Sequence, residues 1–200
     1  MSKIAIDIAL IPPLEILNRL IEINRSLQTS KQELSLGLES TLPHLSISMG
    51  VIDEEKIPEL WKKISSLAET IAPLHFKSNS IRIALRADGV SKISDIDCEH
   101  TKEMQQLHEK VIAITKSYFG SKASLDMFIP SAFLRESSAA YINDSWPNKS
   151  MGNYDPHITL GLGEPKNLGL NLDFYLSRLT ICHLGAYTTC AKVLLEKDLT

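Results

Sequence analysis

Pro43-His44-Leu45-Ser46-Ile47 and Pro156-His157-Ile158-Thr159-Leu160 are two copies of one frame, in which proline and histidine precede an apolar, a hydroxyl and a second apolar residue. The composition of the 200-residue chain predicts roughly 0.01 such frames by chance. Side chains alternate across a β-strand, so the histidine and the hydroxyl two positions later share one face. Each copy therefore predicts a strand with one buried face and one face that carries an imidazole beside a hydroxyl.

The alternation extends both polar faces beyond the frames. Ser48 continues the first face, and Gly161 and Gly163 continue the second. Glycine in a strand leaves room for close approach, and we interpret this room as space for a ligand. If the two strands are neighbours, two imidazoles and two hydroxyls line a single cleft.

Such a cleft suits the cleavage of a phosphodiester. The ordinary histidine pKa of about 6.5 allows one ring to be neutral and the other protonated near neutral pH. The neutral ring can accept a proton from the attacking group, and the protonated ring can donate one to the leaving oxygen. The hydroxyls can donate hydrogen bonds to the non-bridging phosphate oxygens. The near symmetry of the frames leaves open which histidine is the base and which is the acid.

The paired frames resemble the motifs of the two-histidine (2H) phosphoesterase superfamily, in its 2′-5′ RNA ligase-like and cyclic nucleotide phosphodiesterase branch. The resemblance implies an α+β, bilobal, pseudo-twofold fold in which two antiparallel-rich sheets with outer helices enclose a central cleft. Residues 1–200 would form this single bilobal domain. One departure is serine in the first motif, where threonine is commoner. Another is the separation of the histidines by 113 positions (157 − 44), which indicates an insertion between the motifs.

The resemblance also implies roles for individual residues. His44 and His157 would be the acid/base pair, and Ser46 and Thr159 would bind phosphate, with no metal and no cofactor. We therefore expect a hydrolase that cleaves a nucleotide or RNA-end phosphodiester, either a 2′,3′-cyclic phosphate or a 2′-5′ linkage. The alternative is a nucleotide- or RNA-binding module that has the same cleft and little turnover.

Four further residues are candidates for the cleft. Trp146 and Tyr154 lie in the segment before the second frame, where they could stack on a base, although Trp146 could equally pin that segment to the body of the protein. Arg82 and Arg86 share one face of a strand pattern. They are either cleft cations or part of a solvated face, and we favour the solvated face.

The composition limits the partners. The net charge is −3 and the pI is about 6.1, which argues against strong non-specific nucleic-acid binding but allows a local site for a nucleotide or RNA end. We expect a monomer with no signal peptide and no membrane span. The three cysteines, Cys98, Cys182 and Cys190, lack metal-type spacing, and we interpret them as buried thiols of a cytoplasmic protein.

Periodicity predicts the remaining elements. Strands are expected at Ile4 to Leu10 and around both frames, and apolar stripes predict helices after Pro13, Asp53 and Thr101. Further strands are expected at residues 34–38, 74–78, 80–87, 93–98, 124–129, 174–184 and 186–196.

Overall fold

The computed structural model describes residues 2–27, 33–85, 91–166 and 169–200. Eight antiparallel strands are neighbours in the order β6-β3-β4-β5-β2-β1-β7-β8. The strands are β1 (Lys3–Ile11), β2 (Leu45–Asp53), β3 (Leu74–Leu85), β4 (Lys92–Asp97), β5 (His157–Leu162), β6 (Gly169–Leu176), β7 (Arg178–Leu184) and β8 (Cys190–Asp198).

Three longer helices lie between the strands: α1 (Leu14–Ser26), α2 (Ile57–Ala68) and α3 (Lys102–Thr115). The segment before β5 contains α4 (Glu136–Ala140), a π-helical turn (Tyr141–Ser145) and α5 (Trp146–Lys149). Thr101 caps α3 as expected, because its hydroxyl accepts a hydrogen bond from the Met104 amide. No helix in the described ranges is long and apolar enough to cross a membrane.

The sheet consists of two four-stranded halves that meet at the two motif strands. The first half is β2-β1-β7-β8 and the second is β5-β4-β3-β6. They are joined in register at one residue pair, Leu45 opposite Ile158. These two residues hold the same position in the two frames, so a pseudo-twofold axis passes between them. The expected α+β architecture of antiparallel strands with outer helices is therefore confirmed, with both halves in a single eight-stranded sheet.

Each half places its helix on the motif strand of the other half. Helix α1 follows β1 of the first half and packs against β5, and α3 follows β4 of the second half and packs against β2. The two β-α-β units thus exchange helices across the axis. This exchange covers the back of both motif strands with apolar surface, the main source of stability in a core.

A bulge interrupts each motif strand just after its hydroxyl. In β2 the register shifts so that Ser46 lies opposite Ala9 and Ser48 opposite Ile8. In β5 the shift falls after Thr159. An extra residue reverses the alternation, so Ser48 and Gly161 face the helices and not the cleft.

The two residues beyond the bulges correct the sequence interpretation. Ser48 is fully buried and hydrogen-bonds Thr115 of α3. Gly161 has φ +142°, and a Cβ there would lie 2.4 Å from the Asn24 amide nitrogen of α1. The close approach that glycine permits is therefore made by a helix of the protein, and the prediction of ligand space at this position was wrong.

Several predicted strands differ from the structure. Residues 34–38 are irregular, and residues 124–129 contain a 3-10 turn at Leu125–Met127. One continuous strand, β3, replaces the two expected from residue 74, and it is bulged between Ser78 and Ser80 against β6. Three strands, β6, β7 and β8, replace the last two that were expected. A tight turn separates β6 from β7, and the apolar pattern of the sequence continues through this turn without a break.

The cysteines contradict the prediction of three free thiols. Cys182 of β7 and Cys190 of β8 form a disulfide with a Cα–Cα distance of 5.3 Å, and Cys98 is free and buried. Disulfides are rare in the reducing cytosol. The cysteines therefore no longer support the expectation of a cytoplasmic protein.

Candidate active site

Both motif histidines are held by the same backbone contact. His44 Nδ1 lies 2.8 Å from the carbonyl oxygen of Leu42, and His157 Nδ1 lies 2.8 Å from that of Asp155. A carbonyl only accepts, so Nδ1 of each ring carries a proton and donates it. Each neutral ring therefore has its lone pair on Nε2. The two motifs present equivalent nitrogens, each ready to accept a proton or, once protonated, to donate it.

Both motif hydroxyls are bound to aspartates of the neighbouring strand. Ser46 donates to Asp7 Oδ2 of β1 at 2.7 Å, and Thr159 donates to Asp95 Oδ1 of β4 at 2.8 Å. The aspartates are not at equivalent positions, since Asp95 lies opposite Thr159, whereas Asp7 lies opposite Met49. Ala9 occupies the position that corresponds to Asp95. The two halves thus form the same contact between a hydroxyl and an aspartate, but the aspartates hold different positions on their strands.

The side chains in the first half of the site are largely buried. The side chain of His44 is 11% exposed and that of Asp7 is fully buried, with 3.5 Å between His44 Nε2 and Asp7 Oδ2. Burial, with a smaller contribution from the charge of His157, lowers the pKa of His44 to about 4, against the hydrogen bond to the Leu42 carbonyl. Burial also raises the pKa of Asp7 well above its usual value, against the hydrogen bonds from Ser46 and Ser48. Both groups therefore favour their uncharged forms.

The second half is charged and more open. Arg82 of β3 lies within 3.0 Å of Asp155, 3.1 Å of Asp97 and 3.8 Å of Asp95. Asp97 is directly opposite His157 in the pairing of β4 with β5. Arg82 is therefore paired with carboxylates beside His157, although its side chain is still 37% exposed, so both interpretations of this residue stay open. Arg86 lies outside the described residues.

Two helix side chains clamp the motif strands across the pseudo-twofold axis. Asn24 of α1 donates to the carbonyl of Leu160 at 2.7 Å and accepts from the amide of Leu36 at 3.0 Å. His108 of α3 accepts from the Met151 amide through Nε2 at 2.8 Å, so its Nδ1 donates to the carbonyl of Ile47 at 2.7 Å.

The two clamps contact equivalent residues of the two halves. Ile47 and Leu160 are the bulged residues that follow the two hydroxyls. Leu36 and Met151 lie in the segments that lead into the two motifs. Each clamp thus ties one motif strand to the approach of the other motif. His108 is fully buried and uses both ring nitrogens.

The two aromatic candidates are buried and not available for stacking on a base. Trp146 and Tyr154 are only 7% and 5% exposed and belong to the main core. The Tyr154 ring is stacked on His108 with centroids 4.0 Å apart, and its hydroxyl donates to the carbonyl of Ser46. This contradicts the prediction that they bind substrate, because their faces are covered by the protein. Trp146 pins the segment to the body, which was the alternative.

The structure adds residues that sequence reasoning did not select. Asp7 was visible as a lone carboxylate in the apolar run of β1, which is otherwise buried from Ala5 to Ile11. Asp95 and Asp155 gave no comparable signal. Among the described residues no group of three histidine, cysteine, aspartate or glutamate side chains is arranged to hold a metal ion.

Comparison with known proteins places this geometry in a known fold. No family model and no curated protein matches the chain. Among solved structures, TT0787 of Thermus thermophilus is 17% identical, with a TM-score of 0.60 over 98% of both chains. A structure described as a phosphoesterase is 16% identical, with a TM-score of 0.55 over 100% of this chain and 99% of that one.

A third protein with the same fold is known with ligands. Escherichia coli LigT complexed with phosphate is 16% identical, with a TM-score of 0.55, and its complex with 3′-AMP is 15% identical, with a TM-score of 0.53. Both matches cover 100% of this chain and 99% of the other. The chain therefore has the fold of these phosphoesterase-like structures, as the paired motifs predicted.

Proposed function

We propose that this chain, which shares its fold with LigT and a phosphoesterase, is a phosphoesterase that hydrolyses a nucleotide or RNA-end phosphodiester by paired-histidine catalysis. The favoured target is a 2′,3′-cyclic phosphate, with a 2′-5′ linkage as the second substrate to test. The observation that carries the proposal is the matched pair of motifs, whose histidines are both held through Nδ1 where the two motif strands meet at Leu45 and Ile158.

The surroundings of the two rings support one choice of which histidine is the base and which is the acid. His44 is the base, because a ring whose pKa is about 4 is neutral throughout the physiological range. It takes a proton from water through Nε2 while the water oxygen attacks phosphorus. His157 is the acid: it is partly exposed and gives its Nε2 proton to the ester oxygen that leaves. The protons on the two rings thereby exchange places, and solvent restores the starting state.

The motif hydroxyls hold the phosphoryl oxygens. Ser46 and Thr159 lie two positions after the histidines and on the same face, so one phosphate can contact a ring and a hydroxyl of each half. Positioned donors of this kind stabilise charge that grows in the transition state. The phosphate and 3′-AMP in the LigT structures are ligands of the class that this arrangement fits.

The test is turnover of 2′,3′-cyclic nucleotides and 2′-5′-linked dinucleotides, with EDTA present throughout. We expect hydrolysis by the wild-type protein that H44Q and H157Q each abolish, because each removes one proton carrier. H75Q is the matched control, since His75 also contacts an aspartate, Asp173, but lies on the far strand pair β3–β6.

Three results would contradict the proposal. Turnover that EDTA abolishes and a divalent ion restores would favour a metal-dependent enzyme. Full activity in folded H44Q or H157Q would remove the paired-histidine mechanism. Binding of a 3′-nucleotide without turnover of any substrate would favour the alternative, a nucleotide-binding module.

A further inference from the structure

Asp7 is a fully buried acid that the catalytic steps above do not use. It lies in the middle of β1, with none of its surface exposed. Its Oδ2 accepts the hydrogen bond from Ser46, and its Oδ1 is buried with no hydrogen-bond partner. A buried polar atom without a partner is uncommon in a folded protein and calls for an explanation.

Among the described residues, none with a permanent positive charge lies beside Asp7. From β2 the titratable neighbour is His44, whose Nε2 is 3.5 Å away. On β7 the opposite residue is Cys182, which is fixed in the disulfide. The phenols of Tyr141 and Tyr154 face it from the segment before β5, and burial, together with negative charge at Asp7, raises the pKa of both, that of Tyr141 to about 12. Asp95, in contrast, has Arg82 beside it.

Counting protons shows what Asp7 must contribute when phosphate binds. The Ser46 hydroxyl has one proton, which it donates to Asp7 in the ligand-free chain. If the hydroxyl turns to donate to a phosphoryl oxygen, two acceptor oxygens 2.7 Å apart face each other with no proton between them. The contact remains favourable only if the proton comes from the carboxyl group, because among the described residues Asp7 has no cation beside it to offset a carboxylate, whereas Asp95 has Arg82.

We propose that Asp7 is a positioning residue that acts as a hydrogen-bond donor: as a neutral carboxylic acid it gives its proton to Ser46 Oγ, which leaves the Ser46 proton for an oxygen of a bound oxyanion. This inference rests on the proposed function only in that the oxyanion is the phosphoryl group of the substrate. The direction in which burial shifts the pKa of Asp7 agrees with it. An uncharged Asp7 also removes the repulsion that a buried carboxylate would exert on an anionic substrate.

The first experiment reads the protonation of Asp7 without any ligand. The carboxyl carbons of aspartate are labelled with ¹³C, and the Asp7 resonance is identified as the one missing from D7N. We expect it to keep the chemical shift of a carboxylic acid at pH 7, and the resonance missing from D95N serves as the reference for an aspartate with a cation beside it. A carboxylate shift for Asp7 at pH 7 would overturn the proposal, whatever the protein is found to catalyse.

The second experiment measures the affinity for sulfate, a tetrahedral oxyanion that does not titrate between pH 5 and 9. In D7N the amide still donates to Ser46, so we expect affinity within about 3-fold of wild type at pH 6. From pH 6 to 9 the affinity of D7N should fall by a smaller factor than that of wild type, because only wild type has an acid at this position that can ionise. D7A has no donor and should lose about 10-fold, the usual size of one hydrogen bond.

The outcomes separate the two proposals. Equal losses in D7N and D7A, with both variants folded by circular dichroism, would show that Asp7 has only a structural role. If sulfate does not bind the wild-type protein although Asp7 is a carboxylic acid, the phosphate site itself is refuted, and with it the role of Asp7 towards an oxyanion. Sulfate binding without hydrolysis of any phosphodiester would refute the enzyme but leave the inference about Asp7 standing.

Discussion

The two motifs have the same backbone contacts but opposite electrostatic surroundings. In the first half His44 and Asp7 are buried together, no fixed cation from the described part of the chain lies beside them, and both favour their neutral forms. In the second half three carboxylates surround Arg82 next to the partly exposed His157. The comparison teaches that the repeated frame supplies the backbone geometry, while residues of the neighbouring strands set the electrostatic surroundings of each histidine.

The largest expected effect separates the base from the acid. H44Q and H157Q should each lower kcat/KM for a 2′,3′-cyclic nucleotide by about 10²–10⁴-fold, the range for positioned proton transfer. A p-nitrophenyl phosphodiester has a leaving group that needs no protonation. With this substrate H157Q should recover most of its activity and H44Q should not. Recovery in H44Q alone would reverse the assignment, and the double variant should be no worse than the poorer single one.

The hydroxyls should have a smaller effect than the rings. S46A and T159V each remove one donor to the phosphoryl group, and a comparable loss costs about 10²–10³-fold in kcat. We expect the loss of kcat in both variants to lie at the lower end of this range, because the other hydroxyl and His157 remain. The measurement is kcat with saturating substrate at pH 7, and wild-type kinetics in both variants would place these side chains away from phosphate.

The dependence of stability on pH should have opposite signs in two variants of the first half. The pKa of His44 falls from 6.5 to about 4 on folding, so the unfolded chain binds more protons between these values and the free energy of unfolding rises with pH. The pKa of Asp7 is raised on folding above 3.8, so its contribution is fully present at lower pH and is lost as pH rises. In the wild-type protein the two trends oppose each other.

Urea denaturation from pH 4 to 7 checks this prediction. D7N retains only the histidine trend and should become more stable as pH rises from about 4 to 6.5. Of the two contributions, H44Q retains only the pH dependence that Asp7 gives to the free energy of unfolding, and it should become less stable over the same range. The difference in slope should approach about 1.4 kcal/mol per pH unit for each group. Slopes of the same sign in the two variants would contradict the comparison of buried, opposed groups.

Arg82 should give the smallest effect. R82Q leaves Asp95, Asp97 and Asp155 without their common cation, so an anionic substrate meets uncompensated negative charge. We expect KM to rise about 10-fold, with a smaller change in kcat, and the rise to shrink at high salt. R178Q is the control, because Arg178 has a similar exposure and pairs with Glu196 in the other half. An equal effect in both variants would remove Arg82 from the site.

The sequence was sufficient for the parts of the site that lie within a few residues of each other. Alternation placed His44 beside Ser46 and His157 beside Thr159, and the repeated frame predicted that the two strands meet. It failed at Ser48 and Gly161, because a bulge depends on the register of the neighbouring strand, which a local pattern does not contain.

The remaining errors have related causes. Asp7 and Asp95 reach the hydroxyls from other strands, so only the pairing reveals them. Trp146 and Tyr154 were expected to contact a base because their segment is polar, yet short helical turns fold both rings into the core. The disulfide depends on the pairing of β7 with β8, which brings Cys182 and Cys190 within 5.3 Å between Cα atoms.

The Asn24 and His108 clamps bear on how a cleft of this kind can change over evolutionary time. The two halves share a single pair of residues in register, so Asn24 and His108, and not a continuous ladder of backbone bonds, tie each motif strand to the segment before the other motif. Each half keeps its own strands and its own folding information when such a side chain is replaced. A protein with this design can change the width of its cleft by single substitutions, and can so accept new substrates while both halves of the sheet and both motifs stay intact.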